Sequence, residues 1–195
     1  MGGFGEAIAF GACTIINAIA TGKGAALGVD LWTKASVRLT DEAGVIRARI
    51  VSEPEEKTTL IKASVLTVLE HFKLERRYGA EVETDSNIPI ARGLKSSSAA
   101  ANAVILATSD ALGRKIKDLT VIRLGVDAAI RAKTTITGAF DDACASYLGN
   151  IVVTDNYDRL ILKRYTMKEV LTVLFHITPQ KSYTASSDVK RMKLI

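Results

Sequence analysis

Apolar and polar residues alternate from Ala25 to Thr40, with Leu31, Ala35, Val37 and Leu39 on one side and Lys34, Ser36 and Arg38 on the other. That period of two predicts a half-buried strand. A polar turn holding Gly44 follows, after which Ile46, Ala48 and Ile50 alternate with Arg47 and Arg49, so the two runs read as a hairpin with its arginines in solvent. The period then changes. Glu53-Pro54-Glu55-Glu56 begins a helix in which Ile61, Val65, Val68, Leu69 and Phe72 recur at helical spacing, and His71 near its end suits an exposed cation at a helix C-terminus. Ala80 to Thr84 reads as a short strand. Ala99 to Leu112 reads as an alanine-rich helix, closed by Gly113 at the C′ position. A further helix begins near Asp118, with Leu119, Ile122, Val126, Ala129 and Ile130 along one stripe and Asp118 or Thr120 as cap. Asn150 to Thr154 and Leu160 to Arg164 form two strands across a polar turn, Val170 to Thr178 forms another before Pro179, and Tyr183 to Lys190 is a loop entering a helix. Strands and helices thus mingle as in a two-layer α+β fold.

The opening run from Ala7 to Ala20 has no charge and ends in Ala18-Ile19-Ala20, which imitates a secretory signal. Glu6 stands where such a signal is positive, and Gly11 and Asn17 interrupt the run, so a pair of buried strands is the expectation. No segment is long enough to cross a bilayer, so a cytoplasmic protein without a membrane partner is expected.

A chain of 195 residues buries about 70% of its unfolded surface, enough for one core and the start of a second domain. The net charge of +5 suits a polyanionic ligand such as a nucleotide but is too diffuse to predict nucleic-acid binding. Cys13 and Cys144 are far apart, and His71 and His176 are the only histidines, so neither a disulfide framework nor a zinc site is indicated.

Chemistry concentrates in Pro89-Ile90-Ala91-Arg92-Gly93-Leu94-Lys95-Ser96-Ser97-Ser98-Ala99, where a glycine, a lysine and three serines run into the alanine-rich helix. The free N–H groups of a helix start, a lysine and three hydroxyls make a phosphate site; serines that merely supply an N-cap are the structural alternative. No Gly-x-x-x-x-Gly-Lys-Ser/Thr loop occurs in the chain. A second polar stretch, Thr137-Gly138-Ala139-Phe140-Asp141-Asp142-Ala143, places two carboxylates before small residues. Neighbours on a helix face different directions, so at most one of them reaches a shared substrate, and a capping role for Asp141 is the alternative.

The first of these stretches closely resembles the phosphate-binding motif of the galactokinase, homoserine kinase and mevalonate kinase (GHMP) superfamily. Lys95 stands where most members have a second glycine, and three serines stand where most have two. With Gly11-Ala12-Cys13-Thr14-Ile15-Ile16-Asn17-Ala18-Ile19-Ala20-Thr21-Gly22-Lys23-Gly24, the chain is most similar to the archaeal-type shikimate kinases. The resemblance implies an N-terminal ATP-binding domain over residues 1–165 with a left-handed βαβ unit. Residues 166–195 would then begin a ferredoxin-like C-terminal domain, truncated here, with the superfamily's third glycine-rich motif absent. It implies ATP-dependent phosphorylation of shikimate, with ATP and Mg2+ as cofactors. Residues 89–99 would hold the nucleotide, Ser98 would be aligned with the metal-contacting hydroxyl, and Asp141 would act on the attacking hydroxyl. One inserted residue before Asp141 keeps Asp142 as a competing candidate. Homoserine and mevalonate kinases, an inactive fragment and a non-catalytic basic binding module are the rival readings.

Overall fold

The computed structural model describes residues 2–136, 138–177 and 181. In chain order the elements are β1 (Phe4–Ile16), β2 (Lys23–Thr40), β3 (Ile46–Ile50), α1 (Thr59–His71), β4 (Gly79–Ser86), α2 (Ser96–Ala111), α3 (Asp118–Arg131), α4 (Phe140–Leu148), β5 (Ile151–Asp155) and β6 (Leu160–Tyr165). The strands make one mixed sheet in the order β3-β4-β2-β5-β6, with β1 pairing along β2. α2 and α4 lie on the sheet, and α1 and α3 pack against α2. This is the expected two-layer α+β arrangement.

The long strand β2 organises the sheet. Ala35, Val37 and Leu39 point inward, meeting Ile61, Val65 and Leu69 of α1 and Val104 and Ala107 of α2 in one core cluster. A second cluster joins Phe140, Cys144 and Ala145 of α4 to Ile122, Val126 and Val152. α2 lies close to β1 because both surfaces are small. A Cβ on Gly5 would come 2.3 Å from the Ala107 carbonyl oxygen and 2.4 Å from the Ala111 nitrogen. Gly5→Ala therefore has to push a buried helix off the sheet, at an expected cost of about 1–3 kcal/mol. For a chain of this size that lowers Tm by about 2–4 °C per kcal/mol, read by calorimetry.

Five expectations change in the structure. Ala7 to Ala20 is not a pair of buried strands but the main part of one, β1, with Phe4, Ile8 and Phe10 on its open face. Asn17 ends it by accepting the Ile19 N–H at 2.8 Å. β2 and β3 are not a hairpin, because β4 lies between them, antiparallel to β2 and parallel to β3, leaving β3-α1-β4 as a βαβ crossover. Alternation shows which face of a strand is buried and leaves its partner open.

The first helix starts at Thr59, after the acidic turn rather than in it. Of the expected α3 stripe Ile122 and Val126 are buried, together with Val121, Leu124, Gly125 and Ala128, while Leu119 and Ile130 are exposed; its N-cap residue is Lys117, and Asp118 accepts a hydrogen bond from Tyr147 instead. The described part of the expected strand at 170–178 forms no strand, because residues 166–177 find no pairing partner; Val170 and Leu174 are 99% and 96% exposed. Thr178 and the loop-helix expected at 183–190 lie outside the described residues.

Candidate active site

β4 delivers the chain to a tight loop before α2. Ala91, Gly93 and Lys95 all have positive φ, at 55°, 82° and 61°, an alternation of the kind that builds anion-binding concavities from successive N–H groups. Lys95 is the N-cap residue of α2 and no side chain caps this helix. The helix begins three residues before the predicted start, so the serines form its first turn instead of its cap. The first intrahelical bond runs from the Ala99 N–H to the Lys95 carbonyl at 3.1 Å, which leaves the Ser96, Ser97 and Ser98 N–H groups outside the ladder. The capping alternative for the serines is thereby excluded.

A cavity of about 300 Å3 opens over this turn. Of the loop, it is lined by Ile90, Ala91, Gly93, Lys95, Ser96, Ser97 and Ser98, whereas Pro89 and Arg92 lie outside the lining and Leu94 and Ala99 pack with Ile88 in the core. Its lining also includes the apolar Ile50, Leu60 and Ile61 and the hydroxyl-bearing Thr33, Thr84 and Ser86. Lys133 and Thr134, after α3, line it as well. Lys57 and Lys133 join Lys95 in the lining, a cationic excess over Glu56 and Asp142 that suits a polyphosphate. Nothing in the local sequence of either lysine marks it out; the fold brings them there.

The two carboxylates of α4 have different surroundings. Asp142 lines the cavity and its Oδ2 is 3.1 Å from Lys95 Nζ. Asp141 is not in the lining: Asn156 Nδ2 donates to its Oδ1 at 2.8 Å, and its own backbone N–H donates to Asn156 Oδ1 at 3.1 Å. Both are buried, with 4% of Asp141 and 8% of Asp142 exposed. Burial, reinforced by the charge of Asp141, pushes the Asp142 carboxyl up to about 6, against the opposing pull of Lys95 and the Thr14 hydroxyl. Asp142 Oδ1 is buried without a hydrogen-bond partner. Burial likewise raises the Cys144 thiol, which makes it an inert core group. Thr137, at the start of the acidic segment, lies outside the described residues.

The three hydroxyls of the first α2 turn are hard oxygen donors beside a phosphate site, the chemistry that Mg2+ takes when it is shared with substrate phosphates. Among the described residues no cluster of His, Cys, Asp and Glu forms an all-protein metal cage. The donor set therefore fits a cation carried in with a nucleotide. Among the described residues no helix is long and apolar enough to cross a membrane.

A mixed sheet carries α2, and a loop of left-handed residues opens its N-terminus onto a cationic cavity. Residues 59–150 match the family of GHMP kinases N terminal domains, and the chain belongs to the GHMP kinase superfamily. Curated proteins to which it is similar include shikimate kinases. It is 52% identical over 191 residues to the shikimate kinase of Methanococcoides burtonii, covering 98% of this chain and 65% of that protein. It is 51% identical to that of Methanosarcina mazei, covering 98% and 64%. The chain thus spans just under two thirds of the length of these relatives. Among solved structures, the mevalonate kinase of Methanococcus jannaschii superposes with a TM-score of 0.69 at 16% identity, over 83% of this chain and 56% of that one. A homoserine kinase from Cytophaga hutchinsonii gives 0.66 at 22%, over 81% and 51%.

Proposed function

We propose that this protein phosphorylates shikimate from ATP, as the catalytic domain of a shikimate kinase acting in the cytoplasm on the way to aromatic amino acids. The observation that carries the chemistry is Lys95 paired with Asp142 at the open N-terminus of α2. The choice of acceptor rests on the identity of about half to shikimate kinases along almost the whole chain. Two free cysteines suit a reducing compartment. Residues 1–165 are the nucleotide-binding domain in this reading, since the sheet's last strand ends at Tyr165, and residues 166–195 lead into a second domain.

The loop and first-turn N–H groups bind the phosphates, and Lys95 offsets the negative charge that builds on the transferred group. Asp142, in place of the Asp141 aligned by the family resemblance, accepts the proton of the attacking hydroxyl. A carboxyl held at about 6 is a stronger base than an ordinary aspartate, while remaining charged at neutral pH. Lys57 and Lys133 add charge at the rim. The first-turn hydroxyls of α2 would hold Mg2+ carried in with ATP, and the ion would supply charge neutralisation there. Ser98 is the hydroxyl we assign to it, so Ser98→Ala should lower Mg2+-dependent turnover at least tenfold more than Ser96→Ala, read as the Mg2+ concentration giving half-maximal rate; a removed charge-assisted contact is worth about 1.5–3 kcal/mol. Equal, small effects at both serines would remove the assignment.

The deciding experiment is coupled ADP release in a protein that joins this chain to the C-terminal sequence its relatives carry. Shikimate, homoserine and mevalonate are offered in turn. Turnover with shikimate alone supports the proposal, and turnover with another acceptor or with none sinks it.

A further inference from the structure

We propose that Asn156 is a positioning residue for this site: from the turn after β5 it clamps Asp141 so that the first turn of α4 is held in the phase that aims Asp142 at Lys95. The inference rests on the proposed role of Asp142.

The α4 N-terminus lacks a cap of its own. Its N-cap residue is Ala139, in the left-handed region at φ 49°, which has no side-chain acceptor to offer the turn. Asn156 supplies what is missing from another part of the chain. Its Oδ1 accepts the Asp141 N–H at 3.1 Å and the Thr154 hydroxyl at 2.8 Å, and its Nδ2 donates to Asp141 Oδ1 at 2.8 Å. Its own N–H donates to the Gly22 carbonyl at 2.7 Å, tying the clamp to the β1-β2 turn. Asn156 is only 3% exposed, and flipping its amide would set donor against donor at Asp141 N–H and acceptor against acceptor at Asp141 Oδ1. The orientation is therefore determined.

β2 closes the other side. A Cβ on Gly24 would stand 2.3 Å from Asp141 Oδ2, so the missing side chain at Gly24 is the space that the carboxylate occupies. Held between Asn156 and Gly24, Asp141 has no route into the cavity. The next residue on an α-helix is turned by about 100°, and that rotation carries Asp142 to Lys95. The clamp thus decides which of two adjacent aspartates serves the site. It also holds the Asp141 carboxylate in place beside Asp142, whose raised carboxyl that neighbouring charge supports. The groups facing Asp142 are Lys95 before α2, Thr14 on β1 and Asp141 on α4 itself. Cys144, one turn on, senses Asp141 as well.

The test is a carbon-13 NMR titration of the aspartate carboxyls in nucleotide-free protein, which reads the site without assuming any reaction. In Asn156→Ala, Asp141 loses the donor that holds its carboxylate in place beside Asp142. The Asp142 midpoint is then expected to fall by about one unit from its parent value, because the neighbouring charge that helps to raise it is no longer fixed beside it. Gly24→Ala approaches the same contact from β2, on a backbone free of positive φ, and should move the midpoint in the same direction. Thr154→Val removes a hydrogen bond of the same buried cluster without touching a carboxylate. It should lower Tm and leave the midpoint in place. If Asn156→Ala does not fold, Gly24→Ala decides. A folded variant of either kind with an unmoved Asp142 midpoint overturns the positioning role. A moved midpoint with undiminished phosphoryl transfer upholds the clamp and overturns Asp142 as the base, so the two readings fail separately.

Discussion

Asp142→Asn is expected to depress phosphoryl transfer by about a hundredfold to ten-thousandfold, the usual contribution of a general base, while nucleotide binding stays near that of the parent. Asp141→Asn should cost far less in rate, because its carboxylate faces Asn156 and Gly24 and not the cavity. The same Asp142 substitution should make the protein more stable at neutral pH. The Asp142 carboxyl rises from the ordinary 3.8 to about 6 on folding. Between those values the folded chain binds the proton that the unfolded chain has released, so stability falls as pH rises through that window and stays lower above it. The difference corresponds to about 3 kcal/mol, already net of the attraction to Lys95. Denaturant unfolding at pH 8 and at pH 4 checks this: a gain at pH 8 of that order that vanishes at pH 4 is the expected pattern. A loss of stability at both pH values would show that the Lys95 pair outweighs the burial of the carboxylate.

Lys95→Met is expected to weaken ATP binding by about tenfold to a hundredfold, the worth of about 1.5–3 kcal/mol for a hydrogen bond to a charged group. Methionine keeps the length of the stem and the same left-handed backbone strain at φ 61°, so the change isolates the ammonium. The loss should be visible in titration calorimetry with ATP. It also strands Asp142 without a cation, and the acid limb of any pH-rate profile should move upward, because Lys95 is the group that pulls that carboxyl down. Unchanged affinity would reduce Lys95 to a partner of Asp142 with no part in phosphate binding.

The loop at 89–99 was legible because its chemistry is local. A glycine, a lysine and hydroxyls at the start of an alanine-rich helix make an anion site whatever surrounds them. Helix and strand periods were legible for the same reason: Ala35, Val37 and Leu39 face the core at every second position because a pleated strand has no other choice. Gly113 closed α2 as expected, with φ at 62°. The serines were legible as candidates but not in their place in the helix, because helix phase at an N-terminus depends on backbone angles, and Lys95 took the cap position by adopting a left-handed conformation.

What only the tertiary structure decided lies in relations between distant segments. That β4 separates β2 from β3 follows from the crossover through α1, and the period of two in β3 is the same for either partner. Asp141 and Asp142 are equivalent in sequence, each an acidic residue in the first turn of one helix. Asn156 and Gly24, from β-structure on either side, separate them: one supplies a donor and the other a vacancy the size of a side chain, so Asp141 is held in the wall and Asp142 meets Lys95. Local chemistry names the groups a site has available. Their facing is set by long-range hydrogen bonds and packing, which carry no period along the chain.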